Sequence, residues 1–286
     1  MRYTVTGGTG HLGSQIVEKL SKVVPITDIR VGVHTVKKAT DLIKNGFDVQ
    51  GFDFFDETSL QRLLSDTDVF IYIPSKSSTS FERIKELEKV ITAAEATKVG
   101  HFLAMGFIAD QVNNPFSMSA FYGYLPRRLA ETGLKYTVIR NALYADPLVP
   151  YLPELIQRGH VVYPMSDQAL SFISLQDSAK AFAKVATEPK LLVSQKIYTL
   201  TQSRNYTMDQ LGQVLTQVSG HEIGYQPMTS DEFAQTYNED GGGLMLASMY
   251  QAGAMGLLDE LSDDYQHITG QKATELSQFL TEEYSQ

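Results

Sequence analysis

No cysteine occurs in the 286 residues. Its absence excludes disulfides, thiolate nucleophiles and cysteine-ligated zinc, and fits a reducing compartment. No apolar run approaches the roughly 20 residues a membrane-spanning helix needs. The first residues lead straight into a strand pattern, which leaves no room for a secretory leader, so a cytoplasmic location is expected. Positive charge is scarce: Lys plus Arg number 24 against 33 Asp plus Glu, a net charge of −9. With no basic stripe, neither nucleic acid nor an anionic membrane is an expected partner. The six histidines are scattered, and none forms H-x-x-x-H or H-E-x-x-H, so no metal is expected. A G-x-S-x-G elbow is also missing, which leaves hydrolase chemistry without support.

What is present is an apolar fraction of 43%, enough for a sizeable core. Strand and helix patterns alternate through the first half. "RYTVT" reads as a strand ending in glycines, and "HLGSQIVEKLSKV" places Leu12, Ile16, Val17 and Leu20 on one helical face. "IRVGVH" and "DVQGFD" read as the next two strands, with a helix stopped by Asn45-Gly46 between them. "DVFIYIP" is nearly all apolar, as a strand covered on both faces should be. A long helix capped by Ser80 and ended by Gly100 follows, then strands "HFLAM" and "YTVIR". The second half is less regular. "DPLVPYLPELIQRG" is rich in proline and reads as a loop plus a short helix, before a helix capped by Ser174 and a strand at "QKIYTL". The rhythm predicts an α/β protein with a Rossmann-like doubly wound parallel sheet and a smaller C-terminal α/β lobe. The expected division is a dinucleotide-binding domain over residues 1–150, with returns near 174–200, and a mainly substrate-binding lobe over 151–286.

The first strand runs into "TVTGGTGHLG", residues 4–13. Gly8, Gly10 and Gly13 spell G-x-G-x-x-G, whereas Gly7, Gly10 and Gly13 spell G-x-x-G-x-x-G. Either register, placed between a strand and a helix, lets backbone approach a dinucleotide pyrophosphate at a helix N-terminus. An NAD-preferring site usually carries a carboxylate about 20 residues further on, at the end of the second strand. Here the strand ends at His34, followed by Thr35, Lys37 and Lys38, and Asp28 lies before it. Nothing at that end would repel a 2′-phosphate, so NADP is expected over NAD.

"TGGTGHLG", "VHTVKKATDLIKNGFDVQGFDFFDETSL", "LAETGLKYTVIRNALYAD" and "LTQVSGHEIGYQPMTSDEFA" resemble the NmrA-like branch of atypical short-chain dehydrogenases/reductases. Within it they are most similar to the bacterial type 2 NAD(P)H:quinone oxidoreductases. The resemblance implies the G-x-x-G-x-x-G register beginning at Gly7, with Thr9, Gly10, His11, Leu12 and Gly13 around the pyrophosphate. It implies His34 and Lys38 beside the 2′-phosphate, Asp53 and Phe54 at the adenine, and Pro74 and Ser75 on the ribose side. Arg127 would approach the nicotinamide ribose, and Asn141 and Tyr144 would lie beside the nicotinamide. His34 stands where the family commonly has Arg, and Arg127 where it has Lys.

Ordinary members of the wider superfamily use Tyr-x-x-x-Lys on a helix, where the lysine lowers the tyrosine's pKa. Tyr72 and Lys76 have that spacing on a strand and its loop, where residues four apart lack helical geometry. Tyr124 and Arg128 have it too, but Pro126 is expected to interrupt a helix there. The usual serine is replaced by Met105, Gly106 and Phe107. Quinone reduction needs a placed acid less than ketone reduction or sugar epimerisation does. The expected function is therefore hydride transfer from NADPH to a small quinone-like acceptor. Tyr122, Tyr144 and Asn141 are the candidate catalytic groups, and Tyr124 a further hydrogen-bond donor. Met245, Met249 and Met255 could line a flat aromatic site or simply pack. The alternative is an NADP-binding redox sensor without turnover, which the missing Tyr-Lys pair fits equally well. A homodimer is compatible with the sequence, which marks no interface.

Overall fold

The computed structural model describes residues 1–238 and 241–284. The chain opens β1 (Tyr3–Thr6), α1 (His11–Ser21), β2 (Ile29–Val33), α2 (Thr40–Lys44), β3 (Asp48–Gly51), α3 (Glu57–Leu64) and β4 (Val69–Tyr72). It continues α4 (Ser80–Ala96), β5 (His101–Phe107), α5 (Ser119–Ala130) and β6 (Tyr136–Asn141). After β7 (Leu143–Tyr144), α6 (Leu148–Arg158), β8 (His160–Val161) and β9 (Phe172–Ile173) come α7 (Leu175–Thr187) and β10 (Lys196–Leu200). The rest is α8 (Met208–Ser219), β11 (Gly224–Tyr225), α9 (Ser230–Thr236), α10 (Gly243–Ala254), α11 (Asp264–Thr269) and α12 (Leu276–Tyr284).

Seven strands form one sheet in the order β10-β6-β5-β4-β1-β2-β3. Parallel register sets Val5 opposite both Val31 of β2 and Ile71 of β4. The doubly wound α/β fold expected from the strand-helix rhythm is what the chain adopts. The order reverses between β1 and β4, and in such sheets ligands bind at the carboxyl ends of the strands beside that switch point.

By packing, the chain forms two compact units: residues 1–106, 124–140 and 175–198 in one, and 107–123, 141–174 and 199 onward in the other. In the first, α1 buries Leu12, Ile16, Val17 and Leu20, the face its periodicity predicts, and packs against α7. The cap of α4 is Thr79 rather than Ser80: Thr79 has extended backbone and accepts from the Glu82 N–H at 3.2 Å. The helix ends at Ala96, four residues before Gly100, and Lys98 turns left-handed at φ 57°.

His101 begins β5 as expected and is buried, with its Nε2 2.8 Å from Thr137 Oγ1. Thr137 donates its single hydroxyl proton to Val193 O at 2.7 Å, so His101 Nε2 carries a proton and donates. Burial, with a smaller contribution from the Lys135 charge, lowers the imidazole pKa to about 4. The unfolded chain therefore binds a proton that the folded chain refuses between roughly pH 6.5 and the folded value. Stability attached to this residue is present above that window and lost as pH falls through it, by an amount on the order of 3 kcal/mol. Thermal melts at pH 7 and pH 4.5 check this. The wild-type drop in Tm should exceed that of His101→Gln, and equal drops would refute the assignment.

In the second unit the proline-rich stretch is mostly helix. Pro147 is the N-cap of α6 and Pro150 sits in its first turn, where a missing N–H removes no intrahelical bond. Pro153 does lie inside, but burial of Leu148, Leu152 and Leu155 holds the helix across it. The glycine- and methionine-rich residues 241–256 likewise supply α10. A Cβ at Gly243 would lie 1.9 Å from Ala234 O of α9, so the glycine is set by helix contact. Met245 and Met249 are half-buried on α10, and Met255, just beyond it, is 56% exposed. Among the described residues no helix is long and apolar enough to cross a membrane.

Candidate dinucleotide site

The glycine turn is built by contact at one carbonyl. Gly7 has φ +68°, a conformation open chiefly to glycine. The Gly10 N–H donates to Gly7 O at 2.8 Å, and a Cβ at Gly10 would sit 3.1 Å from that oxygen. At Gly13 a Cβ would lie 2.2 Å from the same oxygen and 2.7 Å from its carbon. Gly8 is small for another reason: its Cβ would meet Val31 Cγ1 of β2 at 2.0 Å. Gly7, Gly10 and Gly13 are thus one mutually dependent set, the G-x-x-G-x-x-G register.

The turn delivers the chain into α1 without a side-chain cap. Gly10 is the N-cap, no side chain caps it, and no acidic residue lies in the first turn. The Ser14 N–H reaches back to Gly10 O at 3.0 Å, so the amides of His11, Leu12 and Gly13 precede the first intrahelical bond. Those amides and the positive dipole end, held in place by the close-packed glycines, fit a pyrophosphate. Thr9 and His11 are exposed beside them, whereas the Leu12 side chain is buried in the core.

His34 directly follows β2 and is exposed, its Nδ1 3.4 Å from Thr35 Oγ1. Lys37 and Lys38 are exposed in a 3₁₀ turn over Val36–Ala39, just ahead of α2. Asp53 and Phe54 follow β3. The Asp53 carboxylate accepts from the Phe55 N–H at 2.8 Å, and the half-buried Phe54 ring meets Phe52 and Tyr72 edge-on at 4.9 and 6.3 Å.

The segment after β4 adjoins the glycine turn. Thr6 Oγ1 accepts from the Ile73 N–H at 2.8 Å and donates to Ile73 O at 3.0 Å. Pro74 and Ser75, both half-buried, follow. A buried acid on α4 holds this loop: Glu86 accepts hydroxyl bonds from Ser75 on one oxygen and from Ser77 on the other. Sequence reasoning missed Glu86, which in "ERIKELEK" looks like one more solvated charge. The available signal was its register with Val90 and Ile91 on the buried face.

The helical Tyr-x-x-x-Arg pair exists after all, because α5 runs through Pro126. Pro126 has no N–H to donate within the helix, and burial of Phe121, Leu125 and Leu129 keeps the helix intact across it. Both members of the pair are committed to α4. Tyr124 donates to Glu88 Oε1 at 2.8 Å, and Arg128 Nε donates to the same oxygen at 2.9 Å. The bonded carboxylate pushes the Tyr124 phenol above its ordinary range, opposite to the direction an activating lysine would give. Tyr124→Phe should therefore keep kcat within about twofold, whereas a general acid would contribute at least 10²-fold. Steady-state kinetics decide it, and a hundredfold loss would return Tyr124 to the chemistry.

Arg127 is exposed on the same helix. In the second unit, Asn141 is fully buried at the end of β6, and its Nδ2 donates to the Tyr144 hydroxyl at 3.2 Å. Tyr122, 8% exposed, packs against Phe107 and Phe121 with ring centroids 5.4 and 5.1 Å apart. The structure thus joins Asn141 to Tyr144 and sets Tyr122 in an aromatic cluster. Tyr163 and Tyr250 stack at 4.4 Å elsewhere in this unit, and burial pushes the Tyr163 phenol up to about 12.

The NmrA-like family model matches residues 2–285. The chain is 28% identical to quinone oxidoreductase 2 of Escherichia coli, over 97% of its own length and 96% of that protein's. A Staphylococcus aureus structure named as a nucleoside-diphosphate-sugar epimerase superposes with TM-score 0.93 at 37% identity, covering 98% of this chain and 100% of that one. The triphenylmethane reductase of Citrobacter sp., solved with NADP(H), superposes with TM-score 0.91 at 26% identity, covering 99% and 100%. From its second residue to its last helix, this chain belongs to the NmrA-like family.

Proposed function

We propose that this protein is an NADPH-dependent oxidoreductase whose acceptor is a quinone or a similar electron-poor molecule. The observation that carries the reading is a complete dinucleotide turn in a chain whose helical Tyr-x-x-x-Arg pair is locked onto Glu88. Such a site can position a hydride donor, and its helical pair does not activate Tyr124. The names of the Escherichia coli and Citrobacter relatives support a reductase working with NADP(H). The staphylococcal name suggests epimerisation, which needs a placed acid or base; the commitment of Tyr124 argues against it here.

When bound, NADPH supplies the hydride. The turn at Gly7, Gly10 and Gly13 and the amides of His11 to Gly13 hold the pyrophosphate. His34 and Lys38 meet the 2′-phosphate, Asp53 and Phe54 border the adenine, and Pro74, Ser75 and Arg127 shape the ribose sides. Asn141 fixes the Tyr144 oxygen, and Tyr144 and Tyr122 offer phenol hydroxyls to the acceptor oxygens. In this reading residues 1–150, with the returns near 174–200, bind the dinucleotide, and residues 151–286 mainly shape the acceptor site.

Stopped-flow mixing of the protein with NADPH and a small benzoquinone tests the proposal. The expected result is oxidation that saturates in both substrates. NADPH binding without oxidation above the uncatalysed rate, across several quinones and a triarylmethane dye, would refute turnover and favour the redox-sensing alternative.

A further inference from the structure

We infer that Glu86 is a positioning residue of the dinucleotide site, holding residues 73–77 in place as the wall beside the glycine turn. The inference rests on the dinucleotide reading above. Glu86 lies on the buried face of α4 with Leu87, Val90 and Ile91, and its side chain is 4% exposed. A buried carboxylate is unfavourable unless its oxygens find donors. Ser75 and Ser77 supply one hydroxyl each, and both belong to the loop rather than to the core.

The bonds form a closed set. The Ser75 oxygen, while donating to Glu86, accepts from the Ser77 N–H at 3.0 Å. One turn earlier on α4, Arg83 Nε donates to Ser77 O at 2.9 Å. The helix therefore grips Ser77 at its hydroxyl and its carbonyl, and Ser75 at its hydroxyl. At the other end of the loop, Ile73 is tied to Thr6 through both backbone groups. A Cβ added at Gly7 would meet Ile73 Cβ and Cγ2 at 3.6 Å, so the loop lies within a methyl group's reach of the turn. Nothing in the core requires an acid at residue 86. Its hydrogen bonds go to a loop that adjoins the turn.

Glu86→Ala, Glu86→Gln and Ser77→Ala test the role by two independent measurements. The first is amide hydrogen exchange of the protein without cofactor. Glu86→Ala should speed exchange at Ser77 at least tenfold, and Glu86→Gln much less, since its amide can accept one serine and donate to the other. The second is calorimetric binding. Glu86→Ala should weaken NADPH and NADH by the same factor, about tenfold, as loss of hydrogen bonds to a charged group predicts. Its kcat at saturating cofactor should stay near wild type, with the effect in KM. Ser77→Ala should show a smaller loss of the same kind, and serves if Glu86→Ala does not fold. Unchanged Ser77 exchange overturns the inference whatever the cofactor does. Unchanged affinity in folded Glu86→Ala, or a fall in kcat at constant affinity, also overturns it. Failure of wild type to bind either dinucleotide would instead refute the function proposed above.

Discussion

Gly13→Ala should abolish measurable NADPH binding while leaving a folded protein. The new methyl carbon would stand 2.2 Å from the Gly7 carbonyl oxygen and 2.7 Å from its carbon, both backbone atoms that no rotamer change can move aside. Relief requires the turn and the first turn of α1 to part, which displaces the amides of His11 to Gly13 from the position that suits a pyrophosphate. Overpacking of this kind destabilises by about 1–3 kcal/mol. The larger effect falls on binding: a Kd raised at least 100-fold, equivalent to about 2.7 kcal/mol. Calorimetry reads the Kd, and thermal melts with and without NADPH read both effects. The variant should melt a few degrees below wild type, and added NADPH should no longer raise its Tm. Gly133→Ala is the control, because a Cβ there meets nothing within 4 Å. Binding by Gly13→Ala within about threefold of wild type, on the same scale of affinities, would show that the turn does not serve a dinucleotide.

The second large effect is expected at His34. Wild type should prefer NADPH over NADH by about tenfold or less, or roughly 1.4 kcal/mol. The sign follows from an exposed strand end that carries His34, Lys37 and Lys38 and no carboxylate in that turn. The small size follows from the imidazole, which lacks the bidentate fork of an arginine. His34→Asp should reverse the order, since a carboxylate there repels a 2′-phosphate and accepts from the ribose hydroxyls of NADH. Titration with both cofactors on both proteins checks it. An unchanged ratio in the variant would move residue 34 away from the adenosine ribose.

Periodic burial was readable in advance because it needs no knowledge of distant partners. The stripe Leu12, Ile16, Val17 and Leu20 and the apolar run of β4 landed where their patterns put them. Proline misled twice. Local chemistry forbids a helical N–H at Pro126 and Pro153, yet both helices persist because their leucines are buried on either side. Tertiary packing outweighs one lost hydrogen bond. The glycine register was ambiguous in sequence and is resolved by which glycines converge on the Gly7 oxygen. Glu86 and Glu88 were not legible as site residues. They sit two positions apart on one charged-looking helix, and their partners lie elsewhere in the chain, Ser75 and Ser77 for one, Tyr124 and Arg128 for the other.

The chain passes from one compact unit to the other after residues 106, 123, 140, 174 and 198. That itinerary governs the order in which the protein can be made. The glycine turn and α1 are made long before α7, which packs on α1 and is complete only at residue 187, and before β10, which is complete only at residue 200. Nascent α1 therefore waits, with one face bare, until α7 has been synthesised. A ribosome-stalled chain ending near residue 160 should be open to protease at α1, and NADPH should not protect it. The same weave governs divergence: no single cut releases a unit whole, so neither unit can be exchanged as one contiguous piece.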